Sequence, residues 1–379
     1  MIIGIDASRA NGEQRTGVEE YAFRVITEMY NREQGIGTTE EIEFVLYTDK
    51  PLQGELVELP ENWTQKVLAW WPKRLWTQIR LSWEMFRNPP DVLFIPAHVM
   101  PLIHPKKTVA VIHDTAAIKF PESYNWFERW YSVWSARYAL KRAWKVIVPS
   151  KFVKEELQNA DLRIQNNDKV FVVQHGYDEK YKKIEDEKGI EKVLKKYSIQ
   201  KPFIMSVGRL EEKKNTTRII QAFNKLKTTL GSETENLKLL LVGKPGYGYG
   251  EVRHTLSNSV FKHDIVTPGW VDEQDLPYLL NAAEVFVFPS LYEGFGLPVL
   301  ESMACGTPVV ASKGNSLEEV GGDACVYVDP MSVEDIARGV SEAMQNAECR
   351  MQNVNRGLER VKDFSWEKCA RETLEILMD

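Results

Sequence analysis

Short runs of aliphatic and β-branched residues, each followed by a longer stretch of helical composition, recur along the whole chain, and this alternation most restricts its fold. Parallel strands need a crossover that a helix supplies, so strand and helix repeated in turn point to α/β architecture with parallel sheets. One series of predicted strands runs from Ile2 to Ile5, Glu43 to Tyr47, Asp91 to Ile95, Thr108 to Ile112, Lys145 to Pro149 and Val170 to Gln174. A second runs from Phe203 to Val207, Leu237 to Val242, Asp264 to Thr267, Val285 to Pro289, Pro308 to Ala311 and Cys325 to Val328. Between them, Asp178 to Gln200 is rich in Lys and Glu and reads as a linker with little to offer a core. At 379 residues the chain exceeds one ordinary core. The expectation is two doubly wound, Rossmann-like domains with a cleft between them: residues 1–178, completed by a helix over 364–379, and residues 179–363. Ligands of such sheets bind beyond the carboxyl ends of the strands, so the loops there are searched for chemistry.

Glu293-Gly-Phe-Gly-Leu-Pro-Val-Leu-Glu301 follows one predicted strand and opens a helix, with Pro298 suited to its first turn. The N–H groups from Gly294 through Phe295 and Gly296 to Leu297 then converge, with the positive end of the helix dipole, on an anionic or hydroxyl-rich ligand. After Phe203 to Val207 comes Gly208-Arg209-Leu-Glu-Glu-Lys213-Lys214-Asn215. Arg209, as a fork, and Lys214, as a point charge, can address one diphosphate, although a solvated basic turn has the same composition. Glu211, Glu212 and Lys213 read as surface. His113-Asp114 follows Thr108 to Ile112, which places His113 towards the reacting end of a ligand. His175 also follows a strand and is a weaker candidate; the other histidines lack such placement. Gly17 lies between the first strand and its helix, where it permits close approach of a phosphate. Gly243-Lys-Pro-Gly-Tyr-Gly-Tyr-Gly250 lacks the Gly-x-Gly-x-x-Gly spacing of a dinucleotide fingerprint. No Asp-x-Asp pair offers carboxylates to a Mg²⁺, so the expectation is no metal and no cofactor.

The start of the chain meets Asp6 and Arg9 before an apolar run reaches signal-peptide length, and no stretch is long and apolar enough to span a bilayer. Four cysteines without Cys-x-x-Cys spacing give neither a disulfide framework nor a zinc site. A cytoplasmic protein is expected. Net charge is −6, yet Trp63 to Lys151 carries fourteen Lys and Arg against five Asp and Glu. Such an excess attracts anionic lipid, nucleic acid or a phosphorylated substrate without choosing between them.

Taken in order, these motifs resemble the retaining glycosyltransferases of family 4, which have the GT-B fold. The resemblance covers nearly the whole chain and is strongest from Phe203 to Pro330. It implies that Glu293 and the following amides hold the donor sugar, that Glu301 holds the nucleotide ribose, and that Arg209 and Lys214 hold the diphosphate. It further implies His113 beside the transferred sugar, Gly17 in the first loop, Gly208 before the basic pair, and the backbone of Gly269-Trp270-Val271 beside the base. Gly243-Lys-Pro-Gly246 and Leu291-Tyr292-Glu293 are similar to a bacterial branch of cell-surface polysaccharide synthesis rich in GDP-mannose users. Glu19-Glu20 departs from the Gly-Arg common in the family, and Glu318 stands where a Pro is usual. The implied reaction is transfer of a hexose, expected to be mannose from GDP-mannose, to a hydroxyl of a glycan or lipid-linked acceptor. A GT-B epimerase or phosphorylase is the nearest enzymatic alternative.

Eight of the eleven tryptophans lie in two groups. Trp70, Trp71, Trp76 and Trp83 accompany Lys73, Arg74, Arg80 and Arg87 in a segment whose composition suits an interfacial helix on an anionic membrane. Trp126, Trp130 and Trp134 share one helical face, for which core packing is expected, and Trp144 follows. Basic and aromatic residues together also fit a single-strand nucleic-acid surface, but no recognisable module supports it and no nucleic acid is expected.

Overall fold

The computed structural model describes residues 1–12, 15, 17–33, 42–71, 75–159, 167–345 and 347–379, apart from the side chains of residues 32, 33, 167 and 349. The chain divides into two compact units, the first made of Met1–Pro121, Asn125–Gly176 and Ser365–Asp379, the second of Glu122–Tyr124 and Tyr177–Phe364. Each is built on one all-parallel sheet flanked by helices.

In the first unit the strands are β1 (Ile2–Asp6), β2 (Glu43–Thr48), β3 (Trp63–Val67), β4 (Val92–Ile95), β5 (Thr108–Val111), β6 (Lys145–Val148) and β7 (Val170–Val172). Their order is β3-β2-β1-β4-β5-β6-β7, so succession reverses between β1 and β4. β3 is not among the strands that the sequence predicts. As an edge strand it buries Trp63, stacked on Phe44 at 4.3 Å, and otherwise carries Thr64, Gln65 and Lys66, so it lacks the apolar run of a central strand. The C-terminal helix Trp366–Met378 belongs to this unit: a Cβ on Gly176 would lie 2.1 Å from the Trp366 nitrogen, and Lys145 Nζ bonds the Ile376 carbonyl at 3.2 Å.

In the second unit the strands are β8 (Phe203–Val207), β9 (Lys238–Val242), β10 (Ile265–Gly269), β11 (Val285–Phe288), β12 (Val309–Ser312) and β13 (Cys325–Val328). Their order is β10-β9-β8-β11-β12-β13, and the reversal falls between β8 and β11. The central strands β8, β11 and β12 bury almost every side chain, as expected of a sheet covered on both faces, whereas the edge strand β10 buries only Ile265. The Asp178 to Gln200 segment is no linker. It contains the helix Glu187–Lys196, whose Ile190, Val193 and Leu194 recur at helical spacing and join the second unit's core with Tyr181 and Ile199. Its Lys and Glu residues occupy the opposite face, so composition without periodicity misled.

Candidate active site

Because β8 and β11 are neighbours at the reversal, the loops that leave their carboxyl ends lie side by side. The β8 loop supplies Gly208, Arg209 and Lys214; the β11 loop supplies Glu293 and runs into the helix Leu297–Ala304. Lys214 Nζ meets Glu293 Oε1 at 2.5 Å, with the side chains 21% and 13% exposed. The lysine stem lies along Gly208, where a Cβ would touch its Cγ at 3.5 Å, and its ammonium sits 5.2 Å from the centre of the Phe288 ring. Arg209 is exposed, and among the described residues no carboxylate pairs with it.

A buried polar lattice fixes both loops. Asn215, left-handed at φ 61°, donates from Nδ2 to the carbonyls of Pro289 (2.9 Å) and Pro330 (2.6 Å), tying the basic loop to the ends of β11 and β13. The Ser290 carbonyl accepts from Ser312 Oγ at 2.6 Å and Asn315 Nδ2 at 3.1 Å. Ser316 Oγ lies within hydrogen-bond reach of the carbonyls of Glu293 (2.8 Å) and Phe295 (2.9 Å). These groups turn the Gly294 to Leu297 amides into a fixed rim, and Gly296 at φ 116° makes the turn that a side chain would block against Leu317. Glu301 stands one turn into the helix; burial first, and then its charge, pushes the Tyr181 hydroxyl and the Cys305 thiol well up.

Beside this centre, Gly208 N–H bonds the Val242 carbonyl and Gly243 N–H the Gly269 carbonyl, both at 2.9 Å, so three strand ends stay in line. The Gly243 to Tyr247 loop zips onto the basic loop through Leu210 N–H to Lys244 O (3.0 Å) and Gly246 N–H to Leu210 O (3.0 Å). Trp270 is half exposed beneath Lys244 Nζ, 4.9 Å above its ring, while Val271 is buried. Glu211 is not surface: it is buried where Gly246 abuts it, and its N–H reaches Thr216 Oγ1 at 3.2 Å. Asn215 closes the basic motif of the β8 loop, whereas Ser290, Ser312, Asn315 and Ser316 belong to no motif singled out in the sequence. Their signal was Ser and Asn clustered just past strand ends, where short polar side chains satisfy turning backbone.

In the first unit, His113 follows β5 and its Nε2 lies 3.0 Å from the Pro96 carbonyl, so Nε2 carries the proton and Nδ1 is left as acceptor. The Tyr21 ring packs edge-on at 4.7 Å, and burial pushes the His113 pKa down, keeping the ring neutral. His98, passed over in the sequence, also ends a strand, since it follows β4 and faces Ser132 Oγ at 3.4 Å; burial pushes it down to about 4. His175 is a packed side chain stacked on Trp366 at 5.6 Å. Gly17 opens the helix Gly17–Glu33 with free space where a Cβ would stand. The departing Glu19 and Glu20 are answered by arginines: Arg9 lies 3.5 Å from Glu19, and Arg15 and Arg24 lie 3.4 and 2.6 Å from Glu20.

Residues 17–181 match the model of Glycosyltransferase Family 4, and residues 189–360 match that of Glycosyl transferases group 1. The chain carries a family 4 glycosyltransferase domain followed by a group 1 glycosyl transferase domain. It is 38% identical over 184 residues to the O-antigen chain mannosyltransferase B of Escherichia coli, a match covering 48% of this chain and 47% of that protein. It is 28% identical over 274 residues to the serotype-specific mannosyltransferase WbdA of Escherichia coli, covering 72% of this chain and 33% of the relative. The chain thus spans about half or less of the length of these relatives. Anabaena Alr3699/HepE in complex with UDP and glucose superposes with a TM-score of 0.72 at 16% identity, covering 100% of this chain and 99% of that one. That likeness is one of fold, and the fold of this chain is GT-B.

Proposed function

We propose that this glycosyltransferase moves mannose from GDP-mannose, with retention at the anomeric carbon, onto a hydroxyl of a glycan or lipid-linked acceptor of a cell-surface polysaccharide. The observation that carries the reading is the meeting of Lys214 with Glu293 at the reversal of the second sheet, beside Arg209 and the amides from Gly294 to Leu297. Two cations and a rim of N–H groups suit a diphosphate, and the carboxylate that now holds Lys214 suits the hydroxyls of the sugar next to it. Mannose is supported by the names of the relatives just given.

In this reading Arg209 and Lys214 stabilise the departing diphosphate without a metal, Glu293 positions the sugar, and Glu301 holds the ribose. Gly208 lets Lys214 lie flat, and the Trp270 and Val271 backbone borders the base. From the first unit, His113 and Gly17 are proposed as donor contacts. The acceptor hydroxyl attacks on the face the diphosphate leaves, and a donor phosphate oxygen takes its proton, so the protein contributes position and charge. Among the described residues no helix is long and apolar enough to cross a membrane. A cytoplasmic site of action, on the inner face of the membrane, is part of the proposal.

The test offers GDP-mannose, UDP-glucose, ADP-glucose and dTDP-glucose with and without a mannan acceptor, in excess EDTA, and reads the product anomer by NMR. Acceptor-dependent α-product from GDP-mannose is expected. Donor consumption without acceptor, transfer from another base only, a β-linked product, or activity restored only by Mg²⁺ would each overturn the corresponding part.

A further inference from the structure

The helix Trp126–Arg142 does not bury its aromatic face. Its core side is Ser135, Ala136, Ala139 and Leu140, small residues that bring the helix close to the sheet. Trp126, Phe127 and Trp130 are 80%, 55% and 52% exposed, which corrects the expectation of core packing. The rings form a continuous strip: Phe127 lies 6.0 Å from Tyr131, Trp130 6.1 Å from Trp134, and Trp134 5.6 Å from Tyr138, with interplanar angles of 10°, 13° and 19°. Near-parallel rings at this spacing make a continuous apolar ridge along the helix, open to solvent at Trp126, Phe127 and Trp130.

One flank of the ridge reaches the carboxyl edge of the first sheet, where ligands of such sheets bind. Ser132 meets His98 after β4, and the positive charge of Arg9, after β1, acts on Tyr131, His98 and His113. Asp114, exposed after β5, faces the same group. Flat aromatic faces beside a guanidinium, a carboxylate and an imidazole match a saccharide, which has an apolar C–H face and a rim of hydroxyls. A lipid surface is met by the same ring types, but it leaves the neighbouring Arg9, His98 and Asp114 without a use, whereas a saccharide engages both the rings and the polar groups.

We propose that this strip binds the glycan of the acceptor, with successive sugar rings on Phe127, Trp130 and Trp134 and the hydroxyls of the ring nearest the sheet on Arg9, His98 and Asp114. The proposal deepens the glycosyl-transfer reading and rests on it for the word acceptor. The strip itself stands on the geometry of the first unit.

The probes are tetraoses built from mannose, glucose and galactose, and the corresponding free sugars, titrated calorimetrically and by tryptophan fluorescence. At least one tetraose is expected to bind ten times more tightly than its monosaccharide. Phe127→Ser combined with Trp130→Ser should lose that tenfold while keeping the melting temperature and the thermal shift given by GDP. If no tetraose exceeds its monosaccharide, or the double variant binds as well as the parent, the proposal is wrong. If the variant instead loses flotation with phosphatidylglycerol vesicles and keeps tetraose binding, the strip faces lipid and the proposal is again wrong. Absence of a GDP shift and of transfer from GDP-mannose would sink the functional reading alone, because the tetraose titration is read independently.

Discussion

Lys214 Nζ and Glu293 Oε1, 79 positions apart in the chain, stand 2.5 Å from each other at the junction of two neighbouring strand ends. The pair holds the ammonium where the proposed diphosphate would lie, so a ligand must exchange one carboxylate for its own oxygens. Breaking a half-buried pair from one side leaves the other charge uncompensated, which makes the two single changes unequal. Glu293→Gln frees Lys214 and should tighten binding of bare GDP about fivefold, ~1 kcal/mol, while turnover falls roughly a hundredfold. Lys214→Ala should lose about a hundredfold in kcat/KM, and Arg209→Ala a similar amount, with GDP affinity reduced in both. Calorimetric titration with GDP checks the asymmetry, and weaker binding in Glu293→Gln would show that the carboxylate does not compete with the diphosphate.

How much of this was legible in the sequence follows from which forces leave a local trace. Buried parallel strands appear as apolar runs, so the central strands of both sheets could be read directly, and the edge strand Trp63–Val67 could not. Gly208, Arg209, Lys214 and Glu293 were readable because strand, loop and helix follow one another locally. Their meeting was not, since β8 and β11 become neighbours only through the sheet order. The Ser and Asn lattice was invisible for the same reason: Asn215 bonds Pro330, 115 positions away. The tryptophans misled because helical spacing shows that rings share a face and says nothing of which way the face looks.

The loop under Glu293 should depend on what lies beneath it. Gly296→Ala places a Cβ 2.3 Å from Leu317 Cδ2 at a φ of 116°, a conformation that costs a side chain about 1 to 3 kcal/mol before the clash is relieved. Ser316→Ala leaves the Glu293 and Phe295 carbonyls without their buried hydroxyl, a loss of about 1 to 3 kcal/mol. Urea midpoints should fall for both, and the KM for donor should rise. Unchanged KM with lowered stability would make the lattice a matter of folding only.

The proposed membrane contact is narrower than the sequence implied. Lys73 and Arg74 lie outside the described residues, Trp76 is buried with Nε1 bonded to the Leu68 carbonyl at 2.7 Å, and Arg80 sits 3.4 Å from buried Glu84. Instead of one interfacial helix there is a π-helical turn, Trp76–Leu81, followed by a short α-helix, Ser82–Arg87. Among the described residues of the segment, Trp71, Leu75, Ile79, Trp83 and Phe86 are the exposed large apolar side chains, and Arg87 lies over the Trp83 ring. Insertion should therefore matter more than charge, each basic group adding only about 1 kcal/mol. Trp83→Ser with Phe86→Ser should abolish flotation with phosphatidylglycerol vesicles at low salt, whereas Arg80→Gln should change it little. Flotation that survives the aromatic changes would rule this face out.

His98 gives the fold of the first unit a pH dependence whose sign is fixed. Burial foremost, then the charges of Arg9 and His113 against the opposing Asp114, lowers its pKa to about 4, and burial lowers His113 and His175 in the same direction. An unfolded histidine titrates near 6.5, so between about 4 and 6.5 the unfolded chain binds more protons than the folded one. Stability is therefore fully present above pH 6.5 and falls as the pH drops towards 4, by about 3 kcal/mol for His98 alone at the limit. Urea midpoints measured from pH 7.5 to 5 should decline steadily in the parent protein. His98→Gln removes one titrating group while keeping a polar side chain opposite Ser132, so its midpoints should decline less over the same range. Parallel curves for the two proteins would mean that His98 is protonated as readily in the folded state as in the unfolded one.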